Sequence, residues 1–209
     1  MPDAALMKLI RVIVAADDAT VFSLLATSPS LATAHFEHGA TRQTSKTYYI
    51  EEIQQYIYAG DTALHIASSA YRQGIVQKLI ATGANVRAKN RRGAEPLHYA
   101  VDGVPGSPAW NPSAQAATVA CLIEAGADPN AADKSGVTPL HRAVRTRCAA
   151  AVKALLEGGA DPQRKNKSGS RPFLLATKNT GRGGSGSSEA KAQQQCIVHL
   201  LREYIDRQI

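Results

Sequence analysis

The sequence predicts an all-α solenoid of about five stacked helix-turn-helix units, one elongated domain over residues 1–209. Three observations carry this. A short string returns in register as DTALHIAS at Asp61 to Ser68, EPLHYAV at Glu95 to Val101, TPLHRAV at Thr138 to Val144 and RPFLLAT at Arg171 to Thr177. The spacing of about 33 residues marks a stacked array in which each unit buries its apolar face only against its neighbours. The first three copies run into similar glycine-started tails, GANVRAK, GADPNAA and GADPQRK, and 44% of the chain is hydrophobic with few aromatics, as an alanine- and leucine-rich helical stack requires.

Taken in order, residues 1–34 form an N-terminal capping unit, with two helices expected inside Ala4 to Thr27 although the repeated string is absent. Residues 35–59 are an inserted loop and helix, within a connection from Ser28 to Ala59 that is about twenty residues longer than usual. Tyr49, Ile50, Ile53, Tyr56 and Ile57 fall at helical spacing, which predicts an extra amphipathic helix over Thr47 to Tyr58. Its tyrosines divide between packing the helix onto the solenoid and offering rings to a ligand. Full repeats follow over residues 60–89, 90–132 and 133–165, and a degenerate C-terminal capping repeat over 166–209.

The third full copy shows why each unit folds. Thr138 can cap a helix through its hydroxyl, and Pro139 sits at the first helical position, where its missing N–H costs nothing. Leu140, Ala143 and Val144 form an apolar stripe, and Arg145 to Arg147 end the run in a charged turn. A second helix over Ala149 to Glu157 turns Ala151, Val152, Leu155 and Leu156 inward before Gly158 and Gly159 stop it. Asn166-Lys167-Ser168-Gly169 then supplies a tight turn into the next unit.

This pattern resembles the ankyrin repeat, with its G-x-TPLH-x-A string, helix pair and GAD-type turn. The resemblance is strong at Gly60 to Lys89, Asn90 to Ala132 and Asp133 to Lys165. In the last copy Arg171 replaces the capping threonine and Leu174 the histidine, as suits a terminal unit. It implies a structural role for His65, His98 and His141, which bridge the helix start to the hairpin backbone. It also implies binding through the hairpin tips and the exposed side of the first helices, which together form a concave groove. Mapped onto this chain, the partner-binding residues are Arg91, Arg92, Ala94 and Asp102, then Lys134, Ser135, Val137, Arg145 and Thr146, then Lys167, Ser170 and Lys178.

Two insertions interrupt the repeats, VPGSPAWNPS at 104–113 and TGRGGSGSSEAK at 180–191, and both are expected at the edge opposite the hairpin tips. Trp110, the single tryptophan, either anchors its loop over the helix ends or serves as an exposed anchor for a partner. With Arg147 and Arg182 it marks a second candidate site at the loop edge. The glycine- and serine-rich run lacks the GK[ST] ending of a phosphate-binding loop and reads as a linker.

Lys and Arg number 24 against 17 Asp and Glu, a net charge of +7. Arg87, Lys89, Arg91 and Arg92 crowd one predicted hairpin, Arg164, Lys165 and Lys167 another, with Lys134 between them. Such a row favours an acidic partner; nucleic acid is the less favoured target, since aromatics are not interleaved with the basic tips. His35 and His38 lack the glutamate of a metal-binding HExxH helix, so no metal and no cofactor are expected. Cys121, Cys148 and Cys196 read as small buried residues on second helices, an odd number without CxxC pairing that fits a reducing compartment. No secretion signal and no membrane span is expected. The reading is therefore a monomeric, cytoplasmic, non-catalytic module that binds an acidic peptide or protein surface, with anion or nucleic-acid binding, or a ligand or enzyme pocket at the inserted loops, as alternatives.

Overall fold

The computed structural model describes residues 2–107, 110–177 and 188–206. Helices α1 (Pro2–Val14) and α2 (Asp18–Thr27) form the first pair. Three helix pairs follow: α3 (Ala63–Ser69) with α4 (Gln73–Ala81), α5 (Pro96–Ala100) with α6 (Pro112–Glu124), and α7 (Pro139–Thr146) with α8 (Ala149–Glu157). The terminal pair is α9 (Pro172–Thr177) and α10 (Ser188–Asp206). First helices stack on first helices, α1 to α3 to α5 to α7 to α9, and second helices on second, α2 to α4 to α6 to α8 to α10. The core runs between these layers as one continuous cluster. Leu64, Leu97 and Leu140 of the repeated string are fully buried in it, each worth about 1.5–3 kcal/mol.

One left-handed residue makes the turn between helices, Ala16 in the first pair, Tyr71 in the first repeat and Arg147 in the third. In each case the next amide returns to the first helix: Asp17 to the Val12 carbonyl, Arg72 to Ala67 and Cys148 to Ala143, at 3.0–3.1 Å. The first pair thus has the inter-helix turn of a repeat without its string. After the second helices, Gly83, Gly126 and Gly159 are left-handed, and the following alanine N–H closes the helix end.

The hairpin tips, or fingers, are built alike. Asn90, Asp133 and Asn166 each accept two backbone N–H bonds, two and four residues on, through one side-chain oxygen. Backbone bonds then join the fingers: Arg91 N–H to the Ala59 carbonyl at 2.8 Å, Lys134 to Arg92 at 2.9 Å and Lys167 to Ser135 at 3.0 Å.

The segment Thr47 to Tyr58 is not the helix its spacing predicts. A 3-10 turn at Ser45–Tyr48 leads into a hairpin of β1 (Tyr49–Ile50) and β2 (Gln55–Tyr56), with Tyr49 opposite Tyr56 and Ile50 opposite Gln55. Aromatic and β-branched side chains lose rotamer freedom in a helix and suit a pleated strand, and Gln54 takes the left-handed turn position. Ile57 is buried, and its carbonyl accepts the Ala40 N–H at 2.7 Å, fastening the insert to the solenoid.

Candidate functional site

The exposed sides of the first helices, the fingers, the inserted hairpin and the first insertion line a concave groove of about 570 Å³. Its floor is polar and already paired. Tyr99, the residue after the motif histidine, donates its hydroxyl to the Asp61 carboxylate at 2.9 Å. Asp61 also accepts from Asn90 Nδ2 at 2.9 Å and from the Tyr58 N–H at 2.7 Å. It lies fully buried, and burial raises its carboxyl above the usual range. Arg142, at the same motif position one repeat on, pairs with Asp102 at 3.0 Å and lies 5.9 Å from the Tyr99 ring centre.

The motif histidines lie behind this floor. The Nδ1 atoms of His65, His98 and His141 accept the backbone N–H of Thr62, Glu95 and Thr138. The proton therefore sits on Nε2, which donates to the carbonyls of Ala94, Val137 and Ser170 at 3.0–3.2 Å. Burial keeps all three rings neutral, holding His98 down to about 3. The Cys148 thiol is pushed up to about 11 by burial. Cys121 is also buried and raised. Cys196, by contrast, is exposed on α10.

The expected contact residues fall into three groups. Arg91, Arg92, Lys134, Ser135 and Lys167 are exposed on the fingers. Val137 and Ser170 are half-buried, as are Asp102 and Arg145, and of these Asp102, Val137 and Arg145 line the groove. Ala94, Thr146 and Arg147 are buried, with 1%, 8% and 3% exposure, although Ala94 and Thr146 still line the groove. Ala94 spends both backbone groups on Asn90 and also receives the His65 ring, Thr146 donates its hydroxyl to the Val101 carbonyl at 3.1 Å, and Arg147 is the left-handed turn residue. Lys178 and Arg182 lie outside the described residues, as does the second insertion from 180 to 187.

The first insertion does not sit apart from the fingers. Val104, Ser107 and Trp110 line the same groove as Arg92 and Ser135. Trp110 is half-buried and donates from Nε1 to Gln115 at 3.2 Å, an anchoring role. The opposite wall is the inserted hairpin, with Ile53, Tyr56 and Tyr58. Sequence reasoning passed over Tyr99 and Arg142, which occupy the position directly after the motif histidine in two successive repeats.

Among the described residues no three His, Cys, Asp or Glu side chains gather as a metal would need, and no helix is long and apolar enough to cross a membrane. Fold and groove together define a repeat solenoid with a recognition surface. The family model for the ankyrin repeat matches residues 59–91, and that for ankyrin repeats in many copies matches 122–176. The chain is an ankyrin repeat protein, and ankyrin repeats generally serve as protein–protein interaction modules. A search of curated proteins finds no match. The first insertion and Glu95, which replaces the capping threonine, fall between the two matched stretches.

Proposed function

We propose that the chain is a non-catalytic, monomeric, cytoplasmic interaction module that binds an acidic peptide or protein surface through its fingers and groove. The carrying observation is the finger ladder. The backbone bonds from Arg91 to Ala59, Lys134 to Arg92 and Lys167 to Ser135 set Arg91, Arg92, Lys134 and Lys167 in one exposed row. Charges fixed in register attract an extended acidic chain with little further ordering cost, and they speed its approach. Within the groove Arg142 is matched by Asp102, at 3.0 Å.

The test is fluorescence anisotropy with a labelled peptide of alternating Glu and Ser. Binding is expected to weaken about tenfold or more between about 50 and 300 mM salt, and to fall similarly in a variant carrying R91A, R92A and K134A. Equal affinity of the intact chain and the variant overturns the reading.

A further inference from the structure

The inserted hairpin carries a ladder of tyrosines that ends on the finger cations. Tyr49 and Tyr56, opposite each other across the hairpin, have ring centres 4.7 Å apart at 46°, and Tyr56 and Tyr58 are 6.4 Å apart at 43°. Both Tyr49 and Tyr56 are 39% exposed, among the largest apolar exposures in the protein. Tyr58 then lies 5.3 Å from the Arg91 guanidinium and 4.8 Å from that of Arg92. Arg91 also donates to the Ala40 carbonyl. Among the described residues neither guanidinium forms a salt bridge.

Resting on the acidic-partner reading, we propose that this ladder is a docking site for an extended, proline-containing segment whose next residues are acidic. The prolines would lie on Tyr49, Tyr56 and Tyr58, and the carboxylates would reach Arg91 and Arg92. Rings tilted against one another present shallow notches rather than one flat face, the shape that aromatic grooves offer to polyproline II. The ring centres are 4.7 Å apart across the hairpin and 6.4 Å apart along the chain, so the three rings span at most about 11 Å, within reach of three to four residues of polyproline II at about 3.1 Å each. A proline segment is already extended, so it loses little freedom on docking.

Charge fixes the direction and the class of partner. Glu51 and Glu52 are exposed at the hairpin turn, on the far side of the ladder from the arginines. They repel an acidic end there and steer it to Arg91 and Arg92. They also oppose the continuous phosphate charge of a nucleic acid, and the described tyrosine rings flank only the first finger while Lys134 and Lys167 extend onward without them.

The test uses the full chain and four labelled probes: a run of prolines followed by aspartates, the same peptide with alanine for every proline, the same with asparagine for every aspartate, and oligothymidylate. Binding of the first is expected to be about tenfold tighter than that of either altered peptide, and to weaken about fivefold or more in Y56S and in R92Q, whose side chains are exposed. Circular dichroism checks that both variants fold, and Y56F is expected to retain most of the affinity. If the proline-free acidic peptide binds equally well and depends on Lys134 and Lys167, the ladder proposal falls and the acidic-partner reading stands. If neither acidic peptide binds, both fall. Preference for oligothymidylate overturns the proposal in favour of nucleic acid.

Discussion

The His98 ring ties two repeats together, its Nε2 donating to the Val137 carbonyl at 3.1 Å while Nδ1 accepts the Glu95 N–H at 3.1 Å. Only the neutral ring can make both bonds, because a protonated imidazole has no acceptor. His65 and His141 repeat the arrangement.

Stability is therefore expected to fall in mild acid. Unfolded, each imidazole takes up a proton near pH 6.5; folded, burial delays this, for His98 to about pH 3. The unfolded state thus binds more protons, and each neutral histidine costs about 1.4 kcal/mol per pH unit. Its contribution is complete above pH 6.5 and is lost as pH falls from there toward the folded value. Asp61 and Glu95 act oppositely: burial raises their carboxyls, so the folded state takes up their protons first and recovers part of the loss. With three histidines against two carboxyls, urea midpoints should drop between pH 7 and pH 5. In H98Q the decline should be shallower, and an unchanged slope would remove His98 as a source.

Tyr99→Phe should destabilise the chain by about 1–3 kcal/mol, the usual range for stranding a buried polar group. The lost hydroxyl donates to Asp61 and accepts from Asn90, both at 2.9 Å, and both partners are buried. The ring itself stays, so packing is conserved and the urea m-value should not change. A cost below about 0.5 kcal/mol would mean that the network re-pairs without Tyr99.

The sequence made the frame legible because capping threonines, turn glycines and apolar spacing act within a few residues of one another. Thr138 and Pro139 open α7 as their chemistry requires, and Ala149 to Glu157 is a helix over that range. The hairpin was illegible because Tyr49, Ile50, Ile53 and Ile57 satisfy helical spacing as well as strand preference. The site was read in part. Lys134 and Lys167 are exposed as expected, but Ala94 and Thr146 are buried by bonds to His65, 29 residues away, and Val101, 45 residues away. Contacts between successive repeats also hid Tyr99 and Arg142, whose partners Asp61 and Asp102 lie 38 and 40 residues distant.

Gly136→Ala should unstack two fingers. Gly136 has φ +74°, and a Cβ there would lie 2.8 Å from the Lys167 backbone nitrogen, which donates to Ser135. Gly126, at φ +94° with open space around its Cβ position, provides the control. Both alanine variants incur the left-handed cost of about 1–2 kcal/mol, so any greater loss in G136A measures the finger contact. Amide exchange at Lys167 should accelerate in G136A and stay unchanged in G126A.

Gly103→Ala should dislodge the tryptophan loop while leaving the helices in place. A Cβ at Gly103 would lie 2.9 Å from the Tyr71 hydroxyl, 3.0 Å from Cys148 Sγ and 3.0 Å from Trp110 Cδ1. Tyr71 is fixed by its bond to the Asp102 carbonyl and by Gln115, and Cys148 is fully buried at the start of α8. Trp110 sits on a loop, where its indole donates to Gln115 and its backbone N–H to the Ser107 carbonyl, so it is the group that can yield. Since it is the single tryptophan, its emission reports this directly: a shift to longer wavelength and stronger acrylamide quenching are expected, with far-UV circular dichroism unchanged. The same movement should open the groove wall that Trp110 forms opposite the tyrosine hairpin. An unchanged spectrum would mean instead that Tyr71 or Cys148 shifts to admit the methyl group, and a lowered melting temperature would then accompany it.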